Sequence, residues 1–264
     1  MISATKLSRA QFKKLTSLIY KESGIVLNEQ KYELLSARLA KRMRLKKISS
    51  ITDYLKLIDN NTNEFIDFID AITTNHTFFF RENAHCEYLI KTLDTKKYIK
   101  IWSAASSSGE EPYSIAIQLA ANGFQFEIFA SDISNTMLEI GQRAIYPKER
   151  VRSVPLPMLR TYFKKGKGAY KDHVKVKSSI IKKVKFAKYN LLEESQFPDS
   201  IKFDIIFCRN VMIYFDNITR EKVVNNLLKS LKRGGHLFVG MSESLQGIKN
   251  NLKTILPSGY INKS

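Results

Sequence analysis

The amino-acid sequence predicts an α/β protein: a small N-terminal helical bundle, then a doubly wound α/β domain with a small antiparallel insertion. Apolar residues recur at helical spacing through the first 75 residues. From Tyr98 onward, short apolar runs alternate with amphipathic segments, and between Gly166 and Tyr189 the period changes to two. The expected parts are a helical domain at 1–75, a junction and linking helix at 76–97, and an α/β domain at 98–264.

Four helices are expected in the first domain, each with an N-cap residue or polar start followed by an apolar stripe. The candidate caps or first residues are Ser8, Asn28, Ser50, and Thr62 or Asn63. The stripes are Phe12, Leu15 and Ile19; Tyr32, Leu35, Leu39 and Met43; Ile51, Tyr54, Leu55 and Ile58; and Phe65, Ile66, Ile69 and Ile72. Nothing in this domain is expected to form a strand.

The second domain is predicted from strands that alternate with helices. The apolar runs are 99–104, 126–131, 203–208 and 236–241, and the amphipathic segments between them are 110–121, 134–144 and 219–232. This order is typical of parallel βαβ units. The run from His173 to Lys177 alternates apolar and polar residues, as Val184 to Phe186 does briefly, so both are assigned to an antiparallel insertion at about 166–189.

The net charge of +18 is unevenly distributed. Residues 148–188 contain fourteen lysines and arginines but only Glu149 and Asp172 as acidic residues. Three interpretations stay open: a solvated basic face, nucleic-acid binding, or an acidic protein partner.

Several classes of protein are excluded by composition. No apolar run approaches the ~18 residues of a membrane span, and the first fourteen residues lack the apolar core of a secretory signal. The two cysteines, Cys86 and Cys208, are far apart, so reduced thiols and a cytoplasmic location are expected. The four histidines lack metal-ligand spacing, and no metal is expected.

A small-residue turn, Ser106 to Gly109, follows one predicted strand and precedes a helix. In doubly wound sheets this is where nucleotide-like ligands bind. No lysine follows Gly109, and Glu110 and Glu111 would repel phosphate, so this is not a phosphate loop. The two carboxylates can meet the cationic end of a ligand, or they can simply complement the helix dipole.

Asp132 ends the next predicted strand. An acidic side chain there can accept hydrogen bonds from both hydroxyls of a ribose, or it can cap the following helix. A ligand with a ribose and an ammonium group but no phosphate fits S-adenosylmethionine better than NAD.

Two further segments place polar groups beside the same crevice. Residues 208–215 lie at the carboxyl end of a buried strand, where Cys208 is expected to be a buried small residue and Tyr214 to be either core or site. Residues 75–81 carry three consecutive aromatic residues and form a candidate hinge that closes over a ligand.

Taken together, four ordered segments resemble the chemotaxis-receptor glutamate methyltransferases (CheR-type), which use S-adenosylmethionine. The family patterns T-N-x-T-x-F-F-R, S-x-G-E-E-P-Y-S, F-x-x-I-F-C-R-N-V-x-I-Y-F and G-G-x-L-F-x-G-x-S-E stand at 74–81, 107–114, 203–215 and 234–243. Ser106 and Arg233 replace a small residue and a proline of the family, at positions of little functional weight. The resemblance implies a Rossmann-like methyltransferase domain.

The resemblance also implies the site. The cofactor pocket should be lined by Asn75, Thr77, Arg81, Glu111, Asp132, Asn190, Leu191, Arg209 and Asn210. Glu111 should face the methionyl ammonium, Asp132 the ribose, and Asn190 with Leu191 the adenine; whether Glu110 shares the role of Glu111 stays open. Arg81 and Tyr214 are the candidates for holding the acceptor carboxylate, which needs no general base because a glutamate is already ionised at neutral pH.

The implied partner is the cytoplasmic, glutamate-rich methylation region of chemoreceptors. Charge complementarity predicts that a basic helix face docks it, through Arg38, Lys41, Arg42 and Arg44. A receptor C-terminal tether peptide is a further expected partner, bound at the antiparallel insertion by strand addition. The alternatives are a nucleic-acid methyltransferase, which lacks a recognisable acceptor motif here, and a non-catalytic cofactor-binding module; neither nucleic-acid binding nor membrane insertion is expected.

Overall fold

A computed structural model describes residues 6–73, 75–194, 197 and 200–263. Thr74, the first residue of the junction pattern, lies outside the described residues. The chain forms two compact units. The helical unit comprises residues 1–74 and 214–216, and the α/β unit comprises 75–213 and 217–264. The division of the chain is therefore close to the predicted one, except that residues 214–216 pack with the helices.

The helical unit contains four helices. They are α1 (Arg9–Ser23), α2 (Tyr32–Leu45), α3 (Ile51–Asn60) and α4 (Thr62–Ile72). Ser8 caps α1 in a capping box with Gln11, and Ser50 caps α3, as the sequence predicts. One assignment is corrected, because Asn28 makes no side-chain cap and precedes a 3-10 turn. α4 begins at Thr62, one of its two predicted first residues, and the Asn61 side chain caps it.

A buried carboxylate joins α2, α3 and α4. Glu64, 1% exposed, accepts hydrogen bonds from the Tyr54 hydroxyl at 2.6 Å and from Arg42 Nη2 at 2.7 Å. Lys46 Nζ lies 2.8 Å from the same carboxylate. Burial would raise the pKa of Glu64, but the hydrogen bonds from Arg42, Lys46 and Tyr54 outweigh it and hold that pKa below its ordinary value. The charge of Glu64 is thus compensated within the helical unit.

A seven-stranded sheet forms the centre of the α/β unit, in the order β6-β2-β1-β7-β8-β10-β9. Its strands are β1 (Tyr98–Ala104), β2 (Gln125–Asp132), β6 (Val184–Lys188), β7 (Phe203–Cys208), β8 (Leu231–Val239), β9 (Leu252–Leu256) and β10 (Gly259–Asn262). The first five strands in spatial order are parallel, and β10 and β9 add antiparallel pairs at one edge. This confirms the doubly wound sheet, while β9 and β10 were not predicted.

The helices of this unit follow the expected alternation. They are α5 (Ala84–Thr92), α6 (Glu110–Ala121), α7 (Asn135–Arg143), α8 (Leu156–Tyr162), α9 (Ser178–Ile181) and α10 (Asn217–Lys229). The chain leaves β1 toward β2 on one side, and β7 pairs with β1 on the other. The carboxyl ends of β1, β2 and β7 therefore surround the point where the strand order reverses, which is where doubly wound sheets bind ligands.

The small antiparallel sheet has three strands, in the order β3-β5-β4. They are β3 (Ile145–Pro147), β4 (Phe163–Lys165) and β5 (His173–Val176). The predicted position of about 166–189 is therefore wrong at both ends. Val184–Lys188 pairs in parallel with β2 in the large sheet. The sequence misassigned this strand because a period of two identifies a half-buried strand but does not identify its partner.

Within the part of the chain that the structure describes, no helix has both the length and the apolar character needed to cross a membrane.

Candidate functional site

The turn between β1 and α6 is tightly wound. Ala105, Ser107 and Gly109 have φ values of 59°, 48° and 92°, all in the left-handed region. A Cβ on Gly109 would lie 3.0 Å from Gly141 Cα and from the Tyr146 hydroxyl, so only glycine fits this position without displacing its neighbours. The backbone is thereby packed closely against α7 and β3.

Asp132 fixes the shape of this turn from the end of β2. Its Oδ2 accepts from the Ser107 backbone N–H at 2.7 Å, and its Oδ1 accepts from the Ser134 N–H at 3.0 Å. The helix cap is Ser134, whose hydroxyl accepts from the Met137 N–H, so the interpretation of Asp132 as that cap is wrong. Since each carboxylate oxygen can accept more than one hydrogen bond, Asp132 keeps acceptor capacity for the hydroxyls of a ligand.

Two hydroxyls in the turn support a polar ligand there. Ser106 Oγ and Ser107 Oγ are buried and have no hydrogen-bond partner among the described residues. Buried polar groups are normally paired, so an orphaned pair beside Asp132 indicates a site completed by another molecule. The turn thus offers hydroxyls and a carboxylate but no lysine, which suits an uncharged ribose rather than a phosphate.

The two glutamates that open α6 have different partners. Glu110 is 1% exposed, accepts from Ser108 Oγ at 2.6 Å, and lies 3.1 Å from Arg150 Nη1. Glu111 accepts from Ser103 Oγ at 2.7 Å, and its Oε2 lies 3.3 Å from Arg209 Nη1. Burial raises the pKa of both carboxyls. Glu110 therefore contacts Ser108 and Arg150, whereas Glu111 contacts Ser103 and Arg209.

Arg209, at the end of β7, is a buried guanidinium between two carboxylates. Its side chain is 4% exposed. Nη2 lies 3.0 Å from Glu82 Oε2, and Nη1 lies 3.3 Å from Glu111 Oε2. Arg209 Nη2 also donates to the Arg81 carbonyl at 2.8 Å. The predicted residues Arg81, Glu111 and Arg209 are thereby brought together.

Sequence reasoning missed two glutamates that hold this arrangement. Glu82 accepts from Asn210 Nδ2 and from the Met241 N–H, each at 3.0 Å. Glu243 accepts from the backbone N–H groups of Asn210 and Ile213 at 2.8 and 3.2 Å. Glu243 stands in a family pattern and Glu82 directly follows another, but a pattern does not reveal which loops a side chain connects.

The junction residues contact one another and are linked to the start of α6 through Arg150. Arg81 Nη1 donates to the His76 carbonyl at 2.8 Å, and its guanidinium lies 5.7 Å from the centre of the Phe78 ring. Arg150 Nη1 donates to the Thr77 carbonyl at 2.7 Å while it pairs with Glu110. The Thr77 segment is therefore tied to the start of α6.

The remaining predicted site residues are placed as follows. Asn75 begins the α/β unit. Asn190 Oδ1 accepts from the Leu192 N–H, and Leu191 is buried with its carbonyl accepting from Asn226 Nδ2. Tyr214 belongs to the helical unit, where its carbonyl accepts from the Val26 N–H at 2.9 Å.

The predicted docking face is only partly a free surface. Arg38 Nη1 donates to the Ala71, Ile72 and Thr73 carbonyls at the end of α4. Arg42, with 14% of its side chain exposed, pairs with Glu64 and Asp67. Both arginines are thus engaged within the helical unit, which corrects their assignment as exposed docking charges. Lys41 and Arg44 are exposed.

A doubly wound sheet, a glycine turn without a phosphate-binding lysine, and an acidic residue ending β2 define a nucleoside-binding α/β protein. Comparison with known proteins narrows the class. Residues 10–73 match the all-alpha domain of the CheR methyltransferases, and residues 75–260 match their SAM-binding domain. The chain belongs to the CheR methyltransferase family, as the sequence resemblance predicts.

Curated relatives agree over nearly the whole chain. The chemotaxis protein methyltransferase of Borreliella burgdorferi is 37% identical, covering 96% of this chain and 94% of that protein. Those of Salmonella typhimurium and Escherichia coli are 39% and 38% identical; each alignment covers 94% of this chain, and 88% and 89% of the respective protein.

Proposed function

We propose that the chain transfers a methyl group from S-adenosylmethionine to glutamate side chains of chemoreceptors, giving glutamate methyl esters and S-adenosylhomocysteine. The observation that carries the proposal is the pair Glu111 and Asp132. Glu111 lies in the first turn of α6, just after the turn that follows β1, and Asp132 ends the adjacent strand β2. The family has a SAM-binding domain, and its curated relatives are chemotaxis protein methyltransferases.

The residues fit the two ends of such a ligand. Asp132, with the unpartnered hydroxyls of Ser106 and Ser107 beside it, suits a ribose. Glu111 suits an ammonium group, because Arg209, whose Nη1 lies 3.3 Å from Glu111 Oε2, also pairs with Glu82. Asn190 and Leu191 are proposed to flank the adenine, and Asn75, Thr77 and Asn210 to complete the pocket.

The chemistry places modest demands on the protein. When bound, S-adenosylmethionine supplies an activated methyl group on a sulfonium. The acceptor carboxylate needs no base, because its ordinary pKa of about 4.3 leaves it ionised at neutral pH. Holding the reactants in line can contribute about 7–11 kcal/mol. Arg81 and Tyr214 are proposed to orient the acceptor. Arg81 Nε lies 3.9 Å from Glu82 Oε1, which is long for an ion pair. The Arg81 guanidinium can therefore still engage another carboxylate.

Substrate recognition is proposed to use two separate surfaces. Lys41 and Arg44 would face the acidic methylation helices of the receptor. The small sheet β3-β5-β4 would accept a C-terminal tether peptide along an edge strand, where unpaired backbone groups are available for strand addition. The many lysines and arginines of residues 148–188 would favour an acidic tether.

The reaction can be tested directly. The chain is incubated with methyl-labelled S-adenosylmethionine and membranes that contain chemoreceptors, and the receptors are assayed for base-labile methyl esters. We expect label on receptor glutamates. Base-stable label on the receptors, or label on added RNA instead of protein, would refute the proposal; the latter outcome would favour a nucleic-acid methyltransferase.

A further inference from the structure

The Glu82 carboxylate forms hydrogen bonds with residues of two loops around the site, although the sequence did not assign it to the site. It lies between the aromatic junction segment and α5, with φ 48° in the left-handed region. Its carboxylate accepts from Arg209 Nη2, from Asn210 Nδ2 and from the Met241 N–H, each at 3.0 Å. One side chain thus connects the junction with the loops after β7 and β8.

The charges around Arg209 show why this carboxylate matters. A guanidinium that is 4% exposed lies between Glu82 and Glu111, which are each 17% exposed. Glu82, Glu111 and Arg209 together carry one net negative charge, and Arg81, whose Nε lies 3.9 Å from Glu82 Oε1, brings the total to zero. With Glu82 neutralised, Arg209 and Glu111 would form a closed pair of zero net charge, and an arriving ammonium group would meet a buried guanidinium without an opposing excess of negative charge.

We propose that Glu82 is a positioning residue that neutralises Arg209 and so leaves the charge of Glu111 available to the ammonium group of S-adenosylmethionine. This inference rests on the proposed function, because it assigns the ammonium end of that ligand to Glu111. Glu82 acts through Arg209 and Glu111 and does not itself contact the reacting atoms. Its other bonds, to Asn210 and Met241, hold the guanidinium and the loops in one arrangement.

Two ligands separate this role from a merely structural one. S-adenosylhomocysteine carries the ammonium group, whereas 5′-methylthioadenosine has the same ribose and adenine but lacks the amino-acid end. If Glu82 acts through charge, Glu82→Gln should weaken S-adenosylhomocysteine binding by about tenfold while it changes 5′-methylthioadenosine binding by less than about twofold. A structural defect in the pocket would weaken both ligands together.

The experiment is calorimetric titration of wild type, Glu82→Gln and Glu82→Asp with both ligands, with Glu87→Gln as the matched control. Glu87 is an exposed glutamate of α5 whose carboxylate accepts from Asn83 Nδ2, and its substitution should alter neither affinity. Glu82→Asp keeps the charge. Its preference, the ratio of its affinities for S-adenosylhomocysteine and 5′-methylthioadenosine, should therefore stay within about threefold of the wild-type ratio.

The outcomes distinguish this inference from the proposed function. If wild type does not bind S-adenosylhomocysteine, the proposed function fails. If wild type binds it and Glu82→Gln weakens both ligands equally, or neither, the inference about Glu82 is overturned while the function stands. Should Glu82→Gln not be recovered folded, a tenfold loss of preference in folded Glu82→Asp would overturn the inference by itself.

Discussion

The helical unit and the α/β unit each bury a carboxylate, but the two carboxylates have different surroundings. Glu64 accepts from Arg42, Lys46 and Tyr54, and these hydrogen bonds hold its pKa below the ordinary value in spite of burial. Glu111 shares one guanidinium with Glu82, and burial raises its pKa in spite of the charge of Arg209. A carboxylate that is compensated by its own domain stabilises the fold, whereas one that is short of positive charge can attract a cationic ligand.

The largest effect is expected at the residues that are proposed to orient the acceptor. Arg81→Ala should lower kcat by about a hundredfold, the scale found when one donor to the reacting group is removed, with little change in S-adenosylhomocysteine affinity. Tyr214→Phe should show the same pattern with a smaller loss. The measurement is receptor methylation kinetics beside calorimetry, with the exposed Arg152→Ala as control. An unchanged kcat in Arg81→Ala would remove Arg81 from catalysis.

The compensated carboxylate should behave as a structural group. Glu64→Gln leaves Arg42 and Lys46 without their buried partner and should lower the free energy of unfolding by about 3 kcal/mol. Asp67→Asn is the matched control, because Asp67 pairs with Arg42 at the surface, with 50% of its side chain exposed, and should cost less than about 1 kcal/mol. Thermal and denaturant unfolding measure both. If Glu64→Gln were as stable as wild type, the Glu64 carboxylate would not stabilise the fold, and its contrast with Glu111 would be lost.

A third substitution separates the ribose end of the site from the ammonium end. Asp132→Ala should weaken binding by about 1.5–3 kcal/mol, the scale of hydrogen bonds to a charged group. Because the ribose is common to both ligands, S-adenosylhomocysteine and 5′-methylthioadenosine should be affected alike, unlike in Glu82→Gln. Calorimetry that shows unchanged affinity in a folded variant would exclude Asp132 from the pocket.

The parallel strands could be predicted from the sequence because strands buried on both faces appear as apolar runs. β7 was predicted with its observed bounds, 203–208, and α6 with its bounds of 110–121. β9 and β10 lack such runs: β9 is the edge strand and exposes Lys253 and Thr254, and β10 has only four residues. Local spacing identified Ser8 and Ser50 as caps but did not decide between Thr62 and Asn63 as the first residue of α4.

The sequence predicted the place of Asp132 and Arg209 at the carboxyl ends of strands, and the structure has them there. The site was not predictable where loops distant in sequence meet, as at Glu82, whose partners include Met241, and at Glu243, which accepts from Asn210. Partners distant in sequence were also missed for the predicted docking residues. The sequence shows the charge of Arg42 but not that Glu64, on another helix, buries it.

The smallest effect is expected at the exposed part of the basic face. Lys41→Glu with Arg44→Glu should raise the receptor KM by about fivefold at low salt and leave cofactor affinity intact, because exposed charges contribute little each. Higher salt should reduce the difference, since screening acts over about 8–10 Å. The charge-matched control is Lys96→Glu with Lys97→Glu, both exposed in the α/β unit. Wild-type kinetics in the Lys41/Arg44 variant at low salt would rule out this docking face. Reversal of Arg38 and Arg42, by contrast, should destabilise the helical unit.

Ligand affinity and the stability of the helical unit should respond differently to pH, because the pKa of Glu111 is raised and that of Glu64 is lowered. Because the pKa of Glu111 is raised, its carboxyl becomes neutral as pH falls through a value above the ordinary 4.3 or so, and an ammonium ligand loses its partner. The neutral Glu111 carboxyl favours the folded state, so this contribution to stability is fully present below the ordinary pKa and is lost as pH rises through the raised one. The contribution of Glu64, whose pKa is lowered, persists until pH falls below its ordinary value. Binding should therefore weaken while the helical unit is still intact.

The most direct test is calorimetric titration of wild type and Glu111→Gln with S-adenosylhomocysteine between about pH 5 and 7, where the ligand keeps its ammonium and carboxylate charged. We expect Glu111→Gln to bind at least about tenfold more weakly at pH 7, because a charge-assisted hydrogen bond is lost. Its affinity should change little with pH, whereas that of wild type should fall as pH is lowered. Equal affinities and parallel pH profiles in the two proteins would contradict the central claim that the uncompensated charge of Glu111 binds the ligand.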